Sequence, residues 1–148
     1  MALDSAAIAT GIAALSISGV TIKNTTNIPR IVTVSECPML IPSPDRWITG
    51  GIGQRGPVSF GPGMWEFDRA FTYLYLHTAT GQLPELSDHI ADMGDKLDLI
   101  MMALTTLDVA GADVELIESG GATQITDPSG NSFYGCQIVL TMKERVNA

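Results

Sequence analysis

The stretch that most constrains this chain is Pro84–Leu107, because its side chains sort by character at helical spacing and at no other. With about 100° between successive residues, Leu86, Ile90, Met93, Leu97, Met101 and Leu104 gather on one side. Glu85, Asp88, Asp92, Asp95 and Asp98 gather on the other. The spacing therefore predicts an amphipathic helix with an apolar stripe and an acidic stripe. Pro84 suits a first turn, where its missing N–H is no loss, and the early carboxylates suit the positive end of the helix dipole. Gly111 offers a stop just beyond the end. A helix of this kind needs a sheet under its apolar side, and strand-like stretches lie both before and after it.

Ahead of the helix, Asp4 or Ser5 can cap a shorter one, with Ile8, Ile12 and Leu15 on its buried side. That face is narrow and Ala-rich, so close packing on a sheet or a neighbour is expected. Ser16–Asn27 should be an irregular or extended link. Pro29 denies helix to Ile28, and Ile31–Val34 reads as a short edge strand. Glu36–Gly63 is dense in proline and glycine, yet it carries Trp47, Ile48, Val58 and Phe60. Apolar groups on a projecting loop need something to cover them, so an extended arm or hairpin is expected at about 47–63, with these four as candidate interface residues. Met64–Thr78 then reads as a central strand, since both its odd and its even positions are apolar.

Beyond the helix, Val114–Glu118 and Ala122–Thr126 read as short strands. Asp127-Pro128-Ser129-Gly130 suits a type I turn at every position. In Ser132–Lys143 the residues Tyr134, Cys136, Ile138, Leu140 and Met142 alternate with more polar ones, as in a half-buried strand facing the helix. The order α–β–(arm)–β–α–β–β predicts a single α+β domain over residues 1–148. Its architecture is a mostly antiparallel sheet with an N-terminal helix and one long amphipathic helix packed on it.

Composition narrows the function. Of 148 residues, 45% are hydrophobic and 16% charged, which describes a packed chain and not a disordered one. Eight basic against 16 acidic residues give a net charge of −8, and no basic cluster exists to grip nucleic acid. Cys37 and Cys136 lie far apart without CxxC spacing, so reduced, packed thiols are expected. Ala6–Ile22 carries no charge but is short and diluted by polar residues, so a soluble helix and a turn fit it better than a membrane segment.

No motif that carries chemistry stands in its working context. Gly51-Ile52-Gly53-Gln54-Arg55-Gly56 spells GxGxxG, but Pro57 follows at once and no helix opens to receive a pyrophosphate. His77 and His89 are the only histidines; a packed histidine in a strand and a surface histidine at a helix start are the expected roles. The serines lack a GxSxG context. Asp88, Asp92, Asp95 and Asp98 on one helix face seldom converge on a single metal ion. The expectation is a non-enzyme with no cofactor and no metal.

With these parts in order, the chain resembles the tail terminator proteins of long-tailed bacteriophages. The likeness lies in the short N-terminal helix, the extended segment of Ile28-Pro29 and Ile31–Val34, and the prolines of Cys37-Pro38 and Pro42. It continues through the long strand Phe71–His77 and the helix ending in Ala103-Leu104. The closing strand opens with Phe133-Tyr134-Gly135 and runs through Ile138-Val139-Leu140-Thr141 to Lys143-Glu144. Trp47–Gly63 lies outside the resemblance and looks like an added arm.

The resemblance implies a non-catalytic virion protein made in the host cytoplasm. It forms a hexameric ring that caps the tail tube, ends its elongation and joins it to the head–tail connector. Its partners are then further copies of itself, the tail tube protein and the connector or stopper protein, with DNA passing through unbound and no membrane involved. Alternatives are another neck or tail-completion protein, or a cellular assembly module. In a ring around DNA, Glu66, Asp68, Asp88, Asp92, Asp95 and Asp98 are candidates for the bore, because a basic wall would hold the phosphates.

Overall fold

A computed structural model describes residues 5–43, 58–61, 64–80, 87, 89–109, 112–120, 123–127 and 129–147. Along the chain run α1 (Ser5–Ala13), β1 (Thr21–Ile22), a 3-10 turn (Val34–Glu36), β2 (Met39–Pro42), β3 (Val58–Gly61) and β4 (Met64–Ala79). They are followed by α2 (Ile90–Thr105), β5 (Ala112–Ser119), β6 (Thr123–Thr126) and β7 (Ser132–Asn147). The fold is α+β: a seven-stranded sheet, antiparallel except for the β1–β2 pair, with both helices on one face.

The sheet is built on β4 and β7, two 16-residue strands paired from Met64↔Asn147 to Ala79↔Phe133. At about 3.3 Å per residue this ladder is roughly 50 Å long. Each long strand carries two short ones end to end on its outer edge. Along β4 these are β3 against Met64–Glu66 and β2 against Tyr73–Leu76. Along β7 they are β6 against Ser132–Gly135 and β5 against Ile138–Glu144. β1 adds to β2 and completes the path β1-β2-β4-β7-β5.

Alternation along β4 fills two cores. Phe71, Tyr73 and Tyr75 join Cys136, Ile138, Leu140 and Met142 of β7 beneath Ile8, Ala9 and Ile12 of α1 and Met93, Ile100 and Leu104 of α2. The intervening Leu74 and Leu76 turn to the other face and meet Met39, Ile41, Phe133 and Val32. α1 packs as its composition implies. At Gly11 an added Cβ would lie 3.2 Å from both Leu107 and Val109, so a larger residue there would push the helix off its neighbour.

Three expectations need correction. The apolar stripe of α2 is centred on Met93, Ile100 and Leu104, with Leu97 half-buried beside them, whereas Ile90 is 52% exposed. Relative to the expected stripe the helix is turned by roughly 30°, which brings Ile100 inward and leaves Met101 on the flank toward β5. Pro84–Leu86 and Asp88, which the expected helix included, lie outside the described residues.

Ile31–Val34 is not a strand. Ile31 is 61% exposed, Val32 is buried and a 3-10 turn begins at Val34. No strand edge faces the Val32 N–H; it donates instead to the Asp127 carboxylate at 3.1 Å. Finally, Met39–Pro42, inside the proline- and glycine-dense stretch Glu36–Gly63 and ahead of the arm, where no strand was expected, is a strand buried on both faces. It is only four residues long and bounded by Pro38 and Pro42, so its period is too brief to recognise. The hairpin expectation does hold for Val58–Gly61, which folds back on Met64–Glu66.

Candidate functional site

Two features of the fold bring chemistry-bearing groups together. The first is a cluster of rings where α2 begins. In β4 the pairing steps from Leu76↔Gly135 to Thr78↔Tyr134, so His77 is the extra residue of a β-bulge. Gly135 makes this close approach possible, because a Cβ there would run into the Tyr75 carbonyl. The bulge holds His77 buried, its Nδ1 2.7 Å from the Tyr75 hydroxyl and its Nε2 3.4 Å from Asp92 Oδ2 on α2. The His89 ring stands edge-on to His77 at 5.4 Å, and Tyr134 lies 6.3 Å beyond. His89 Nε2 is buried with no hydrogen-bond partner among the described residues.

Burial holds the His77 pKa below its ordinary value; Asp92 pulls it up, and His89 and Lys96 push it down. A neutral ring with its proton on Nε2 satisfies both contacts, Nδ1 accepting from the Tyr75 O–H. Burial also pushes the Tyr75 hydroxyl up, with Asp92 adding to it. The buried Cys136 thiol is pushed up to about 11 by the same cause, and Cys37 to about 11 by burial and by Glu36. The O–H and S–H groups around the cluster thus stay protonated at neutral pH. What the arrangement does is fasten the first turn of α2 to the middle of the sheet through a neutral imidazole. Among the described residues no group of three His, Cys, Asp or Glu side chains is placed to hold a metal ion.

The second feature is a groove between the far half of α2 and the edge strand β5. Its volume is about 510 Å³, and Met101, Met102, Thr105, Val114, Glu115, Leu116 and Ile117 line it. Met102 is 68% and Leu116 50% exposed. Glu115 is the extra residue of a second bulge, between Val114 and Leu116, and pairs with Lys143 at 3.3 Å. Asp98 stands one helical turn before Met102, on the same side of α2. Among the described residues, β5 is paired on its β7 side alone.

The expected site residues scatter against this frame. Trp47, Ile48 and Asp88 lie outside the described residues. Val58 and Phe60 are on β3, and Glu66 and Asp68 are on β4 where it pairs with β7. The acidic stripe of α2 divides: Asp92 turns toward His77, while Asp95 and Asp98 are exposed. No spacing in the sequence joins the two histidines, yet the bulge and the helix start place them side by side. His89 is half-buried and not a surface group. No helix among the described residues is long and apolar enough to cross a membrane. No family model matches the chain, and no curated protein matches it.

Proposed function

We propose that this chain is a virion structural protein of a long-tailed bacteriophage, a tail terminator. Copies of it form a ring, a hexamer by analogy, that caps the tail tube and presents its far side to the head–tail connector. The observation that supports this best is the layout of the sheet. It has two opposite edges lined by short strands, both helices on one face, and an apolar groove beside the β5 edge. Subunits that associate head-to-tail need two different surfaces on one copy, and such contacts close into a ring when the rotation between neighbours closes. The sequence adds a net charge of −8 per copy, which disfavours DNA binding to the wall of a channel.

The test is electron microscopy of the purified protein in negative stain, alone and mixed with tail tubes. Rings, and tubes capped at one end, are expected. A monomer that leaves tubes free to elongate would overturn the reading.

A further inference from the structure

We propose that the groove between α2 and β5 receives residues 46–57 of a neighbouring copy. This rests on the ring reading above and names the surface through which one copy would hold the next. The groove is apolar in its floor and acidic at its border. Met101, Met102, Val114, Leu116 and Ile117 supply the first; Glu115 on the wall and the exposed Asp98, one helical turn before Met102, supply the second. Thioether side chains on such a surface adapt to the shape of what they cover.

The occupant is chosen by charge and by chain length. In a chain of net charge −8, the twenty residues Arg46–Trp65 contain two arginines, Arg46 and Arg55, and no acid. The same stretch holds Trp47, Ile48 and Ile52. The acid-free stretch with Lys23 and Arg30 is folded into the domain, so of the residues outside the described ones 46–57 is the long segment that is both basic and apolar, and so the complement of the groove. A two-fold contact of β5 with itself is the poor alternative, since it would bring Asp113, Glu115 and Glu118 of one copy beside the same acids of the other.

Ser43 and Val58, which bound residues 44–57, both lie along the edge of β4 away from β7 and β5. Between their levels β4 advances from Thr72 to Glu66, a span of roughly 20 Å. Fourteen residues reach roughly 45 Å when extended. Chain therefore remains to leave that edge. An arm departing from one edge and a groove on the opposite edge is the head-to-tail arrangement that a ring requires.

The experiment joins crosslinking to a charge exchange. Trp47→Cys and Met102→Cys are combined in a Cys37→Ser/Cys136→Ala background, treated with a short bismaleimide and run under denaturing conditions. Met102 is exposed, so its substitution leaves the core alone. Covalent dimers and higher species are expected in the double variant and not in either single one. In parallel, Arg55→Glu and Asp98→Lys are each expected to weaken association about tenfold by sedimentation, and together to recover most of that loss.

An intrachain product would show the arm on its own groove and overturn the proposal. So would rings that form without crosslinks and without a response to the charge exchange, and in that case the ring reading survives. Absence of any oligomer in the unmodified protein, with or without tubes, overturns the ring reading and this proposal with it.

Discussion

Single residues carry more of this fold than their chemistry announces. Gly135 is the clearest case: the β-bulge at His77 requires the two long strands to approach where a side chain would strike the Tyr75 carbonyl. Gly135→Ala must shift backbone, and a loss of about 2–4 kcal/mol is expected in urea unfolding. Asp127 is the second. Its burial raises its pKa, but the Ser129 hydroxyl and the amides of Val32, Asn131 and Ser129 outweigh this, and the net shift is below the ordinary 3.8. Its stabilisation is therefore present above pH 3.8 and is lost as pH falls below it. Asp127→Ala would leave the buried Val32 amide unpaired, with an expected cost of about 3 kcal/mol.

His77 titrates in a different window. Its folded pKa lies below 6.5, so as pH falls through 6.5 the unfolded chain takes up the proton first. Full stability is expected above about pH 6.5 and a progressive decline below it. Melting temperatures measured from pH 7.5 to 5 should fall in the native protein and flatten in His77→Asn. An equal fall in the variant would assign the effect to other groups.

At the scale of elements, α2 shows how a correct period can still leave the orientation open. Ile90 and Ile100 are the same residue type on one helix, yet one is half-exposed and the other fully buried against Leu140 and its neighbours. Ile100→Ala is expected to cost about 2–5 kcal/mol and Ile90→Ala less than about 0.5 kcal/mol. Similar costs at both positions in denaturant titrations would mean that the helix is rotated from the orientation described. The acidic side also divides: Asp92 meets His77, while Asp95 and Asp98 are exposed.

At the scale of the whole molecule, the sheet has a covered middle and two edges of unlike character. One edge carries β1, β2 and β3, and the other is an acidic strand beside an apolar groove. If the ring surrounds the path of DNA, Asp88 and Asp95 are the acids to alter, since Asp92 is engaged with His77. Asp88→Lys/Asp95→Lys is expected to yield particles in normal number that eject DNA poorly, measured by plating and by release of DNA. Normal infection would place these residues on the outer wall.

What the sequence determined by itself was everything with a local period or a local geometry. The alternation of β4 and β7, the helical character of α2, the Asp127–Gly130 turn and the α+β class follow from neighbours a few residues apart, whereas α2 runs over Ile90–Thr105 and not from Pro84 to Leu107. The turn closes as expected, the Gly130 N–H donating to the Asp127 carbonyl at 3.0 Å. Only the tertiary structure decided which residue of a stripe faces inward, because that depends on the crest of the sheet beneath and not on the stripe.

It also decided that Val32 would be held by a carboxylate 95 residues away, and that His77 and His89 would share one pocket with Tyr75, Asp92 and Tyr134. Contacts of that kind have no spacing to read. They arise when a bulge, a helix start and a turn arrive at the same place, and the free energy of burying them together belongs to the assembled sheet.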